Sequence, residues 1–462
     1  MSSILDDIPE ELPGAFLRTF QGIEGTAATQ GKPALAEKGI VFQGIWRQFA
    51  DGFARHTRET VRALAKAGVP LHLDSLGVGS QLLNDDLEED VRALEYLTRA
   101  CFQKTQLVIK QVIWGTHEHL VNNLQPRSMH FQTDENVERA LARTIVYTVW
   151  ERDRVAPKDV ELLNKLGQVW VGCQSTYDAF LSSGVEASRL RIVPYSYDPD
   201  DRIAIVKPRK IGFDPEPPTY VPGVSSLAYP RAVSGEVPPG RRFYIIGRWD
   251  PRKNQHRILG LFLKTFKPTS DASLMIKTSK LSASYSNYPT PEESVRTWLE
   301  DPTVQAMGWT AETFGKRVRV IDETISDAEI AQLHARNNVY LSLGHGEGWD
   351  VPAFEARLAG NRLVYTDWGG MRDYAGPDDL RVPFDFVPVD TDYGAWEGGP
   401  QWANPHTNAI KYALATVRPP EKRIQDPTLY ARFGRAMVGR RMRGYLEELL
   451  ATFGETLQEG YG

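Results

Sequence analysis

Two glutamates eight positions apart, Glu347 and Glu355, sit in the stretch "LSLGHGEGWDVPAFEARLAG" at residues 341–360, where an apolar run ends in closely spaced glycines. Glycines let a backbone approach a ligand closely, and a helix beginning near Pro352 offers N–H groups and a positive dipole end to an anion. Glu347 then falls in the turn and Glu355 just inside the helix, so both carboxylates can face one cleft. The plainer alternative is that Glu355 only favours the helix N-terminus while Glu347 is solvated. A second constellation, "GRWDPRKNQHRILGLF", puts Arg248 at the end of an apolar run and Lys253 where a helix begins. An arginine grips a phosphate in bidentate fashion and a lysine adds a compact charge, so this pair can neutralise a diphosphate without a metal. Alternatively they are two solvated cations. Each constellation is weak alone, but the two occupy equivalent strand-to-helix positions.

The elements that must hold these groups alternate along the chain. The runs "GIVFQG", "VPLHLDS", "LVIKQVIWG", "ARTIVYTVW", "QVWVGC" and "LRIVPYS" read as strands, most of them separated by helical stretches. One such stretch puts Phe53, Thr57, Val61 and Leu64 on one face, with Gly68 where a C-cap should fall. Between 208 and 239 the texture turns to prolines and glycines without helical period. The alternation restarts with "RRFYIIG", "SLMIKTS", "RVRVIDE", "NVYLSLG" and "NRLVYTD", and Ser326 with Glu329 spells a capping box before "IAQLHARN". Strands alternating with helices predict an α/β chain of doubly wound parallel sheets. The expected division is a Rossmann-like domain at 1–200, a linker or excursion at 201–240, a second Rossmann-like domain at 241–427 and helices at 428–462 that pack back on the first domain. Arginines at 432, 435, 440, 441 and 443 read as a solvated face rather than a membrane patch.

The whole composition sets limits. At 462 residues the chain suits two cores, and 41% hydrophobic and 24% charged residues describe an ordinary globular protein. A net charge of −5 leaves no basic field for nucleic acid, so any phosphate must be met locally. The acidic start "MSSILDDIPEELPG" is unlike a signal peptide and no run reaches the length of a membrane span, which predicts a cytoplasmic protein, with peripheral contact at a membrane left open. Cys101 and Cys173, far apart and without a CxxC, predict neither a disulfide framework nor a thiolate zinc site.

With both constellations in view, the sequence resembles the retaining GT-B glycosyltransferases of family 4. Gly247, Arg248 and Lys253 match that family's G-R-x4-K arrangement. Glu347, Gly348, Trp349, Pro352, Glu355 and Ala356 match its E-x7-E motif. The likeness covers most of residues 38–385, including "FADGFARHTRETVRALAKAGVPLHL" and "VYTVWERDRVAPKDVELLNKLGQVWVGCQSTYDAFLSSGV" in the first half. It implies the GT-B architecture, two Rossmann-like domains facing across a cleft, with the first on the acceptor side and the second binding a nucleotide-sugar. By resemblance Arg248 and Lys253 hold the diphosphate, Glu355 takes the ribose hydroxyls, and Glu347 with the backbone of Gly348 and Trp349 positions the transferred sugar. Arg248, Lys253 and Glu347 are then the catalytic group, without a protein nucleophile, metal or cofactor. The partners implied are a UDP- or GDP-sugar and a glycan or other hydroxyl acceptor. The base is expected at the loop holding Asp322 and Thr324, and the acceptor near Gly52, His117 and Glu151, of which Glu151 in "TVWERD" ranks above His117.

The chain departs from the family pattern at Asp350, where a glycine is usual, at Asn361-Arg362 in place of Thr-Pro, and at Asp373 in place of a glutamate. A carboxylate at 350 repels a diphosphate, and capping the next helix is its benign reading. Three other readings compete. Asp198-Pro199-Asp200 and Asp390-Thr391-Asp392 are Asp-x-Asp triplets of the kind that hold a divalent ion, though the pattern is common by chance. The "GVGS" at 77–80 is too little for a dinucleotide fingerprint. A catalytically silent nucleotide-binding scaffold of the same fold is the third.

Overall fold

The computed structural model describes residues 36–46, 52–75, 94, 97, 102–113, 134–197, 237–278, 288–323, 325, 327–389, 399–424 and 426–457. His117, Thr324, Ser326, Cys101, both Asp-x-Asp triplets, the "GVGS" segment and most of the 208–239 stretch lie outside them. The described residues fall into two units. One lies within Met1–Trp150, Arg154–Asp201 and Thr428–Gly462, the other within Glu151–Asp153 and Arg202–Pro427.

The first unit begins β1 (Ala36–Gly44), α1 (Gly52–Lys66), β2 (Leu71–Ser75), β3 (Phe102–Ile113), α2 (Asp134–Ala142) and β4 (Thr144–Val149). It continues α3 (Pro157–Leu163), β5 (Gln168–Val171), α4 (Gln174–Ser182) and β6 (Leu190–Ile192). These strands form one parallel sheet in the order β2-β1-β3-β4-β5-β6. Their apolar runs are buried on both faces, as a sheet covered by helices requires.

The second unit contains β7 (Arg241–Ile246), α5 (Gln255–Thr265), β8 (Ala272–Lys277), α6 (Pro291–Glu300), α7 (Pro302–Ala306), α8 (Ala311–Arg317) and β9 (Val318–Ile321). There follow α9 (Asp327–Arg336), β10 (Val339–Ser342), α10 (Val351–Leu358), β11 (Arg362–Thr366), α11 (Met371–Tyr374) and β12 (Leu380–Val382). A hairpin of β13 (Phe384–Pro388) and β14 (Gln401–Pro405) leads into α12 (Thr407–Thr416). The second sheet, β12-β11-β10-β7-β8-β9, is parallel throughout.

The chain then returns to the first unit as α13 (Pro427–Phe433) and α14 (Arg435–Ala451). Helix α14 lies on α1 so closely that a Cβ on Gly439 would sit 2.1 Å from the Ala63 carbonyl oxygen. Val438, Met442 and Leu446 join the core of β1, β2 and β3. The reading of the C-terminal arginines as one solvated face fails at Arg435. Its Nη2 lies 2.9 Å from Glu59 Oε2 in the buried α1–α14 contact, because covering both faces of α1 leaves Glu59 needing a buried partner. Burial disfavours the Glu59 charge, but Arg435 and Arg62 outweigh it and hold the carboxyl down to about 2.

Candidate functional site

From β7 the chain runs outward to β8 and β9, then crosses back to place β10 on the other side of β7. The strand order therefore reverses between β7 and β10, and open parallel sheets hold ligands outside the carboxyl ends of the strands at such a point. The loops leaving those two ends, 247–254 and 343–350, are the two constellations singled out in the sequence.

Polar contacts lock the loops together. Asn254, at φ 63°, donates from Nδ2 to the Leu343 carbonyl at 3.1 Å. His345 N donates to the Arg252 carbonyl at 2.7 Å, and Arg252 Nη1 donates to the Gly346 carbonyl at 2.5 Å. The glycines serve this approach, since a Cβ on Gly346 would lie 2.1 Å from the Glu151 carbonyl oxygen. Buried Asp250 accepts the Lys253 backbone N–H at 2.8 Å, fixing the turn that presents the Lys253 side chain.

Lys253 Nζ lies 2.6 Å from Glu347 Oε1, and Arg252 Nη1 lies 3.1 Å from the same oxygen. Arg252 Nη1 also lies 3.1 Å from Glu151 Oε1. Burial resists ionisation of Glu347, yet Arg252 and Lys253 outweigh it and hold this carboxyl below the usual range. Burial acts on Lys253 too, and Glu347 and Asp350 more than offset it, keeping the ammonium protonated. Burial moves Glu151 the other way, upward, an effect tempered because its side chain is 36% exposed. Arg248 reaches outward instead, 60% exposed, with Nε 3.7 Å from Asp250 Oδ2.

Asp350 does not cap α10 with its side chain. It sits at φ 57°, ψ 75°, a left-handed backbone of the kind that favours glycine, and Ser342 Oγ donates to its Oδ2 at 2.5 Å. The benign capping reading is thereby corrected. Burial, opposed by Lys253 and reinforced by Glu347, pushes the Asp350 carboxyl up to about 6. The backbone of Gly348 and Trp349 is held from below by the turn after β11. Gly370 N donates to the Glu347 carbonyl at 2.9 Å, and Tyr374 Oη lies 2.9 Å from the Trp349 carbonyl.

Glu355, on α10, has different partners from Glu347. Asn361 Nδ2 donates to Tyr244 Oη at 2.7 Å, and that hydroxyl lies 2.8 Å from His334 Nδ1. With Tyr244 donating, His334 carries its proton on Nε2, facing Glu355 Oε2 at 3.5 Å. Asn361 thus holds Tyr244 beside His334. Asp322 is buried after β9, near Lys277 at the end of β8. Burial draws the Lys277 amine down to about 8 against the opposing pull of Asp322 and Glu323.

The structure brings together Lys253, Glu347 and Glu151, with Gly348 and Trp349 in the same loop. Arg248 stands at the end of β7 and Asp322 at the end of β9, with β8 between them. Glu151 belongs by contacts to the second unit rather than to the 1–200 domain in which its position after β4 had put it. Gly52 opens α1, exposed, and a Cβ there would meet open space. Sequence reasoning missed Arg252, the cation shared by both carboxylates. Its signal was its place beside Lys253 in a buried strand-to-helix turn. Also missed was a polar row across the first sheet, where Asp74, Gln43 and Lys110 are in register on β2, β1 and β3. Gln43 donates to Asp74 at 2.9 Å, and burial draws the Lys110 amine down to about 7 against the pull of Asp74. In "LVIKQVI" the lysine was hidden in an apolar run.

No protein-family model and no curated protein matches the chain. Solved structures do. HepE of Anabaena in complex with UDP and glucose matches at a TM-score of 0.50 and 12% identity, over 89% of this chain and 100% of that one. HepE in complex with UDP-glucose matches over 90% and 99%, with the same score and identity. A glycosyltransferase from Rickettsia africae matches at a TM-score of 0.51 and 13% identity, over 89% and 99%. At these identities the likeness is one of fold, and the chain has the GT-B fold.

Proposed function

We propose that the chain is a retaining, hexosyltransferase-type glycosyltransferase that moves a sugar from a UDP- or GDP-sugar to a glycan or other hydroxyl acceptor. The observation that carries this reading is the pairing of Lys253 with Glu347 at 2.6 Å across the switch point of the second sheet. A fixed ammonium, an exposed arginine at 248 and the N-terminus of α10 converge on the place where an α/β sheet accepts an anionic ligand. HepE, which shares the fold, holds UDP-glucose, in keeping with a nucleotide-sugar donor.

In this reading Lys253 and Arg248 take the diphosphate, and their attraction grows as negative charge collects on the leaving phosphate. Glu347 has two roles. It holds Lys253 in place and, with the backbone of Gly348 and Trp349, meets hydroxyls of the transferred sugar. Glu355, which faces the His334 ring at 3.5 Å, takes the ribose hydroxyls, and Asp322 lies on the side of the base. Attack comes from the face the phosphate leaves, the phosphate taking the acceptor proton, so that anomeric configuration is kept. The acceptor meets polar groups such as Glu151. The cations supply the counter-charge, and a divalent ion is not required.

The test is transfer and hydrolysis of UDP- and GDP-hexoses with and without excess EDTA, followed by anomeric coupling in the product NMR spectrum. Turnover that survives EDTA and a retained configuration are expected. Complete chelator sensitivity would return Asp390 and Asp392 to consideration as metal ligands. Inversion would remove the retaining mechanism, and nucleotide binding without any turnover would leave a scaffold.

A further inference from the structure

Three aromatic rings cluster at the far edge of the second sheet from Asp322. Trp368 follows β11, and Phe384 and Phe386 project from one face of β13, two residues apart. Trp368 and Phe386 meet edge to face with centroids 5.0 Å apart, Phe384 and Phe386 at 5.1 Å, Trp368 and Phe384 at 6.0 Å. Among the described residues the ring contacts of this cluster are with one another, and Trp368 and Phe384 are half-buried. Phe386 is 40% exposed.

We propose that Trp368, Phe384 and Phe386 form a stacking platform for a saccharide chain beside the donor site. The turn that carries Trp368 also props that site: Gly369, at φ 92°, lies where a Cβ would sit 2.3 Å from the Glu347 carbonyl oxygen. The platform is therefore one residue away from backbone that touches the loop of Glu347. Position along the sheet selects the occupant. Counting across the carboxyl edge, Asp322 is at β9, the cation pair lies between β7 and β10, and the rings lie beyond β10 at β11 and β13. On the donor reading, on which this inference rests, the nucleoside occupies the β9 side, leaving sugar on the side of the rings.

Chemistry selects it too. The apolar C–H face of a pyranose packs on an aromatic face, while its hydroxyls need polar neighbours at the rim. These are present: Asp367 and Arg372, 3.5 Å apart, flank Trp368. A protein partner fits less well. Even the whole surface of three such rings, about 600 Å², falls short of the roughly 800 Å² per side of a stable interface.

The test is saturation-transfer NMR and calorimetry with maltohexaose, cellohexaose and chitohexaose on the intact chain, its Phe386→Ala variant and its Phe386→Tyr variant. At least one oligosaccharide should bind the parent. Phe386→Ala should weaken it roughly tenfold, which corresponds to about 1.4 kcal/mol, and Phe386→Tyr should restore it. Thermal midpoints establish that each variant is folded. No binding by the parent, or binding unchanged in Phe386→Ala, overturns the platform. So does a dimer in sedimentation that Phe386→Ala dissolves, since a second copy would then be the occupant. UDP and GDP titrated into the same samples separate the two claims: glycan binding without nucleotide binding removes the donor reading alone, and the reverse removes the platform alone.

Discussion

The Lys253 ammonium lies 2.6 Å from the Glu347 carboxylate, tying the loop after β7 to the loop after β10. The contact does two things at once. It keeps the lysine charged in a buried place, and it holds that charge at the point where the sheet's strand order reverses. An ammonium has three N–H donors, so binding an anion there does not require Glu347 to let go.

Replacing either Lys253 or Arg248 by alanine should therefore reduce turnover on the order of 10² or more, the scale of losing one donor to a developing negative charge. The two differ in stability. Arg248 is 60% exposed, and its loss should change unfolding free energy by less than about 0.5 kcal/mol. Steady-state rates and denaturant curves on both variants check this, and wild-type turnover in both would remove these residues from the site.

Arg252→Met should be the most damaging single change in the site. It removes the cation 3.1 Å from both Glu347 and Glu151 and leaves the Gly346 carbonyl without its donor. Breaking a buried pair in this way costs about 3–5 kcal/mol. Urea unfolding measures it. A loss below about 1 kcal/mol would mean that Lys253 and water neutralise the two carboxylates without Arg252.

The strands and the glycine-rich turn were legible in the sequence because they rest on local signals: apolar runs buried on both faces, and glycines where two backbones touch. Lys253 and Glu347 were legible as motif residues at equivalent positions. Arg252 was not, because its role depends on two carboxylates that each lie about one hundred residues from it in the chain. Glu151 follows a strand of the first sheet, and its pairing with Arg252 of the second unit was hidden for the same reason. Asp350 was noticed as a missing glycine, yet its left-handed backbone and its bond from Ser342 were not readable from residue type alone. The helix-face pattern of α1 was right at Phe53, Thr57, Val61 and Leu64, all buried. It gave no hint that α14 would bury the opposite face as well.

Asp350 gives the site a pH signature. Its folded carboxyl titrates near 6, above the ordinary 3.8, so it stabilises the fold fully below the ordinary value and that contribution is lost as pH rises through about 6. At pH 8 the parent bears a buried carboxylate that Asp350→Asn does not. The variant should gain about 2–3 kcal/mol over the parent between pH 4 and pH 8, and asparagine tolerates the left-handed backbone. Urea midpoints of both proteins across that range test it; parallel profiles would show that Asp350 does not titrate there.

Gly369→Ala should disturb the site from behind. The new Cβ would fall 2.3 Å from the Glu347 carbonyl oxygen at a φ of 92°, so the turn must move and Glu347 with it. A loss of more than about 1 kcal/mol in stability together with weaker nucleotide binding is expected. Unchanged nucleotide affinity would show that the turn does not hold the loop.

The most direct measurement is thermal unfolding of the intact chain in the presence of UDP, GDP and their sugars, with Lys253→Ala beside the parent. One nucleotide and its sugar should raise the parent's midpoint, with about 2.7 kcal/mol of added stability at a hundred times the dissociation constant, and the gain should be largely lost in Lys253→Ala. If no nucleoside diphosphate or nucleotide-sugar stabilises the parent, or if the variant is stabilised equally, the Lys253–Glu347 pair is not a donor site and the proposed function falls.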